Sequence, residues 1–375
     1  MRAINFIKHF LLALPGWHTR RKLAVIQSDD WGATRMPSVT IRNKLAEHPL
    51  IDASSSYCHY DTLASPKDLE LLFEVLTSVK DSVGNYPVLT ANCVLANPNF
   101  QKIKESGYTS YHYHNLRESF ERYGKVEALT LWEEGMASRI FHPQYHGREH
   151  VNVPAWLRSL RNEHSGVAYA FEHEVFGVNF KDISEKKDNF QAAWDFNHSE
   201  DKEEVNASVL QGLNLFEEHF GFKSLTTIAP SYTWSHEVEE LLNRNGVLAM
   251  QSILYQKVPL PGSDEYQRNN RLLSVKSRKS QIRNAFFEVL SVEKPIDLSE
   301  IYGRAEAIFK AGKPLIIGSH RRNFIGGHSE RYRDQNLRHL GEILSTLVKK
   351  WPDLEFVSSE NLAQIMHGQQ ATVFN

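Results

Sequence analysis

Short apolar runs alternate along this chain with longer stretches in which apolar residues recur every three or four positions. The strand-like runs are "KLAVIQSD", "PVLTANCVL", "TSYHYH", "RIFHPQYH", "VAYAF", "LTTIAPS", "GVLAMQS", "PLIIGSH" and "LEFVSSE". Between them lie helical patterns such as "SPKDLELLFEVLTSVKD", with Leu69, Leu72, Phe73 and Leu76 on one face. "NASVLQGLNLFEEHFG", "SHEVEELLNRNG" and "RDQNLRHLGEILSTLVKKWP" follow the same rule, each stopped by Gly or Pro. Strands that alternate with helices predict an α/β fold built on a mainly parallel sheet. Runs that are apolar rather than alternating suit strands covered on both faces. No repeat and no Pro/Gly/Ser linker divides the chain. One domain is expected over residues 23–375, with the charged stretch 184–204 as a surface insertion and 259–271 as a long loop.

Residues 1–22 stand apart as an N-terminal amphipathic segment able to touch a membrane surface. The apolar run Phe10 to Leu14 is short, and Pro15-Gly16-Trp17 makes a poor cleavage site, so a cytoplasmic location is expected. No stretch approaches the roughly 20 apolar residues that span a bilayer. Of the 375 residues, 41% are hydrophobic and 23% charged, with a net charge of -2. That balance gives no electrostatic case for nucleic acid. The two cysteines, Cys58 and Cys93, are too few for a cysteine-ligated zinc site and are expected to be buried thiols. Composition leaves the oligomeric state open.

Candidate chemistry begins at "LAVIQSDDWG", where an apolar strand runs into Asp29 and Asp30. Two like charges at the mouth of a core strand repel and resist desolvation, so a bound cation is the first candidate to offset them. "HGREH" supplies His146 and His150 at i, i+4, which places two imidazoles on one face of a helical turn. Two unrelated histidines meet that spacing as well in a chain with 18 of them. His112 and His114 in "YHYH" have no acidic neighbour and are expected to be structural. "KPLIIGSHRRNF" repeats the logic of the opening, an apolar strand ending in His320. Groups at the carboxyl ends of strands converge in α/β folds, so these three segments are expected at one rim.

"QSDDWG" resembles the first motif of the polysaccharide deacetylase superfamily (carbohydrate esterase family four). "HGREH" resembles its second motif, "IIGSH" its last, and Pro230 and Tyr232 in "TTIAPSYTW" match part of another. The motifs span residues 23 to 324. The resemblance implies a distorted (β/α) barrel of about seven strands that carries one divalent metal, usually zinc, and hydrolyses acetyl groups on sugars. By the same resemblance Asp29 is the general base, and Asp30, His146 and His150 hold the metal. His320 is the general acid. Trp31, Tyr232, Arg148 and Arg321 are the candidate substrate-binding residues.

Two departures matter. Positions 228 and 229 are Ile and Ala where the family carries the arginine that orients the base, with Arg148 or Arg321 as candidate replacements. The family's aspartate-tryptophan motif has no counterpart near "GVLAMQS". Three other readings compete. An amidohydrolase of the same superfamily needs the same groups for a small amide. A non-catalytic carbohydrate-binding relative would keep an aromatic rim of Trp31, Tyr232 and Trp234. "HGREH" also fits an inverzincin protease with Glu149 as base, but that needs a continuous helix, which Pro143 and Gly147 oppose.

Overall fold

The structure, a computed structural model, describes residues 2–272, 280–294 and 296–368. Its central sheet contains β1 (Lys22–Trp31), β2 (Leu89–Cys93), β3 (Phe141–Tyr145), β4 (Thr226–Ile228), β5 (Ala249–Ser252), β6 (Ser280–Ile282), β7 (Ala285–Phe287), β8 (Leu315–His320) and β9 (Leu354–Phe356). Eight of them follow the order β6-β5-β4-β3-β2-β1-β8-β7, all parallel, and β9 pairs with the start of β1. β6 and β7 are successive pieces of one segment. Its first half pairs with β5 and its second with β8, and at the switch Arg283 N donates to Ser252 O (2.8 Å) and Asn284 N to Ile316 O (3.1 Å). This segment joins the two edges of the sheet and closes it into a distorted barrel of seven staves, eight strands less the one counted twice.

Alternation along β1 explains the barrel interior. Leu23, Val25, Gln27 and Asp29 share a face, because successive side chains point to opposite sides. Gln27 donates to Gln281 across the barrel (3.0 Å), which marks that face as the inside. Leu23 and Val25 close one end with Ile316 and Leu362. Above them lies a layer of amides rather than aliphatic side chains. Asn92 and Gln251 exchange hydrogen bonds of 2.7 and 2.9 Å, and Gln251 also donates to Thr226 Oγ1 (3.0 Å). Asp29 and His320 lie beyond this layer at the carboxyl ends of β1 and β8, paired in register.

The helical patterns form helices that pack on the outside. Pro66–Thr77 buries Leu69, Leu72 and Leu76 and starts with a Ser65/Asp68 capping box, and Glu330–Lys350 buries Leu337, Leu340, Leu344 and Leu347. "VAYAF", read as a strand, is instead part of the helix Ser165–Glu172. Val167, Ala170 and Phe171 are buried at helical spacing, and a five-residue apolar run does not discriminate the two. The 259–271 loop contributes instead to an antiparallel hairpin, Tyr255–Pro259 with Tyr266–Asn270. The stretch 184–204, expected as a surface insertion, is irregular up to Glu200 and then enters the helix Asp201–Phe220, and it buries Phe190, Trp194 and Phe196 rather than lying wholly on the surface. Residues Arg2–Ala13 form helix α1, and no helix among the described residues is long and apolar enough to cross a membrane.

Candidate active site

The end of β1 is distorted in the way two functional carboxylates require. The ladder to β2 shifts register between Ser28 and Trp31, and Asp30 takes a φ of 73°, which few non-glycine residues adopt. The kink interrupts the alternation, so Asp29 and Asp30 can both reach one rim. Gly32 completes the turn at φ 85°, where a Cβ would lie 2.5 Å from the Val94 carbonyl oxygen. Trp31 is turned outward and fully buried against Trp132 and Phe141, with its indole N–H on Ser28 Oγ (2.9 Å). It is therefore a packing residue and not part of a sugar-stacking rim. Trp234, also fully buried, is corrected in the same way.

His146 and His150 meet at Asp30, though not on a helix. Residues 146–150 form an irregular loop in which Gly147 takes φ 111°. The Nε2 atoms of His146 and His150 lie 3.6 and 3.2 Å from Asp30 Oδ1, and the donor atoms of all three residues fall within 4.8 Å of one another. Tetrahedral ligands about 2.0–2.2 Å from one zinc are about 3.3–3.6 Å apart, so the spacing suits an ion. Two further features fit. His146 Nδ1 is bonded to the Ile228 carbonyl (2.8 Å), which leaves Nε2 as the donor to a metal, and Asp30 Oδ2 is buried without a hydrogen-bond partner. Burial and then the nearby Arg35 lower His150 to about 4, so its imidazole is neutral at pH 7. Asp30 is held well below the usual carboxylate range: burial would raise it, but Arg35 (Nη2 to Oδ1, 2.9 Å) and the two histidines together outweigh that. One carboxylate and two imidazoles could hold zinc or another first-row divalent ion.

Asp29 faces a different set of groups. Arg283 grips it with two hydrogen bonds, Nη1 to Oδ2 (2.7 Å) and Nη2 to Oδ1 (2.6 Å), while Asn92 donates to Oδ1 (2.7 Å). Burial alone would raise this carboxyl, but the guanidinium outweighs it and lowers Asp29 to about 2. His320 Nε2 lies 3.7 Å from Asp29 Oδ2, and its Nδ1 is bonded to Glu288 Oε1 at 2.5 Å. Burial opposes the charge on His320, but Glu288 prevails and raises its pKa. Arg322 (2.7 Å) and Asn323 (3.3 Å) anchor the second oxygen of Glu288. Tyr57, partly exposed, meets the His320 ring edge-on at 5.2 Å and lies beneath the guanidinium groups of Arg35 and Arg322.

Arg283 thus holds Asp29 and Glu288 holds His320, the first from the closing segment and the second from the residue just past it. Neither proposed substitute for the arginine is there. Arg148 is buried in a clamp made by Glu149, Gln211 and Glu204, beside the rings of Tyr111 and Tyr113, and Arg321 is fully buried on Asp61 (2.8 Å) and the Ala33 carbonyl (2.8 Å). Both are structural rather than substrate-facing. Glu149, which a protease reading makes the base, is buried on Arg148 and Ser208. Tyr232 does reach the site, accepting from Arg283 Nη1 at 3.2 Å. His112 and His114 take no part in the triad, and Cys58 and Cys93 are free and buried. The signal for Arg283 and Glu288 lay in "SQIRNAFFEVL", a short apolar run with a charged residue at each end.

Neither a protein-family model nor a curated protein matches the chain. Among solved structures it is similar to a protein from Mycobacterium smegmatis described as a polysaccharide deacetylase, at 13% identity and a TM-score of 0.44, covering 96% of this chain and 97% of the other. It is also similar to one from Pseudomonas aeruginosa PAO1 with the same description, at 10% identity and a TM-score of 0.47, covering 94% and 93%. A third is the 4-alpha-glucanotransferase of Thermococcus litoralis, at 10% identity and a TM-score of 0.43, where 90% of this chain covers 39% of that one.

Proposed function

We propose that this chain is a metal-dependent hydrolase that removes acetyl groups from an N- or O-acetylated carbohydrate. The observation that carries the reading is the pairing, at one barrel rim, of a buried carboxylate gripped by Arg283 with a histidine 3.7 Å away that is bonded to Glu288, beside a second carboxylate and two imidazoles whose donor atoms converge. The carbohydrate comes from the motif resemblance. Asp30, His146 and His150 would hold one divalent ion, zinc first, which supplies Lewis acidity to the acyl oxygen and to a water. Asp29, kept as an anion by Arg283, takes the proton that the attacking water loses. His320, whose pKa Glu288 raises, protonates the departing nitrogen or oxygen, since a poor leaving group needs a proton. Tyr57, half-buried against His320 where Trp31 is fully buried, is the aromatic side chain we assign to contact with a sugar ring.

The test is acetate release from N-acetyl and O-acetyl glycans by the wild type and by Asp29→Asn and His320→Gln. Each variant should lose roughly 10²–10⁴-fold in turnover, the usual range for acid–base groups. The His320 loss should be smaller on an O-acetyl ester with a good leaving group. No acetate from any acetylated glycan, with metal bound, would overturn the reading.

A further inference from the structure

Between α1 and the closing segment lies a cavity of about 340 Å³; Arg283 contributes to its wall, but Asp29, Asp30, His146, His150 and His320 do not line it. Leu12, Trp17, Ile282, Phe286, Ile308 and Met366 are among its lining residues. Its volume falls within the roughly 300–1,000 Å³ of small-molecule sites. Beside the guanidinium groups of Arg283 and Arg304, the one ammonium in its wall among the described residues is Lys313, only 7% exposed. Its Nζ donates to the carbonyls of Pro15 and Trp17 (2.7 Å each) and meets His18 Nδ1 at 3.5 Å, and no carboxylate among the described residues pairs with it. A buried cation with only neutral partners is costly, and an anion beside it would offset that cost. On the other side of α1, Ile7 and Leu11 are 55% and 57% exposed, Leu14 just past its end is 42% exposed, and Leu12 on the cavity wall is itself 46% exposed. The helix thus presents apolar residues both to the cavity and to the outside.

We propose that this cavity binds an aliphatic chain with an anionic head, the chain among Leu12, Ile282, Ile308 and Met366 and the head at Lys313. A free fatty acid and the acyl chain of an acidic membrane lipid share this chemistry. Binding is measured by calorimetry on the full chain, with decanoate, decanol and decyltrimethylammonium as probes. Decanoate should bind saturably at one site per chain, about tenfold or more tighter than decanol, because hydrogen bonds to charged groups carry that much. The quaternary ammonium should bind weakest. Lys313→Gln should bring decanoate down to decanol. Ala13→Trp, which fills the cavity from the end of α1 and leaves Lys313 in place, should abolish binding of all three. Flotation with phosphatidylglycerol vesicles separates the sources: loss of flotation in an Ile7→Glu/Leu11→Glu variant that still binds decanoate marks the lipid, and no flotation of the wild type marks the free acid. No saturable decanoate binding, or equal binding to Ala13→Trp, would overturn the proposal.

Discussion

Asp29 and Asp30 are adjacent in sequence and yet answer to different partners. Asp29 is governed by Arg283, and replacing that arginine leaves a buried carboxylate uncompensated. Arg283→Met should cost about 3–5 kcal/mol of stability near neutrality. The sign follows from the depressed pKa of Asp29. The pair stabilises the fold above the unfolded value of about 3.9, and that contribution is lost as pH falls through about 2. The difference between wild type and Arg283→Met in urea unfolding should therefore be full at pH 7 and shrink below about pH 4. His320 runs the other way, its pKa raised by Glu288. With His320 as the acid, kcat/KM should fall on the alkaline side above the ordinary histidine value of about 6.5. Glu288→Gln should move that limb to lower pH. An unmoved limb would show that Glu288 does not govern the acid.

The closing segment is the element that sequence patterning left unread. The apolar runs of β1, β2, β3, β4, β5 and β8 were legible, as were Asp29, Asp30, His146, His150 and His320, because each sits at or just after such a run. Segment 280–287 escaped because Gln281 and Arg283 face the amide interior, so its first half carries no apolar run. The arginine that orients Asp29 therefore comes neither from Arg148 nor from Arg321, beside the histidines, but from long-range closure of the barrel. Gly318 on β8 shows how tightly the segment is fitted, since a Cβ there would stand 2.5 Å from Arg283 Cδ. Gly318→Ala should displace Arg283, lower Tm and cut turnover. Gly303→Ala, on the helix Leu298–Lys310 with nothing within 4 Å of the added methyl, should stabilise by about 0.4–1 kcal/mol. Equal melting temperatures for the two variants would contradict the fit.

For the molecule as a whole, the barrel collects residues from the ends of β1, β3, β7 and β8 into one rim, and it surrounds them with arginines already paired to carboxylates. The ordered charges require little reorganisation when a substrate arrives. The metal claim has its own pH signature. His150, lowered to about 4 by burial and Arg35, should keep its donor free well below the ordinary imidazole value, so protons should compete with a metal at this ligand only in more acidic solution than at an ordinary imidazole. The most direct test is elemental analysis paired with acetate release on wild type, His150→Ala and Asp29→Asn. The expected result is one divalent ion per wild-type chain, loss of ion and activity together in His150→Ala, and an inactive Asp29→Asn that keeps its ion. Full metal content and full activity in His150→Ala would contradict the assignment of Asp30, His146 and His150 as the metal site.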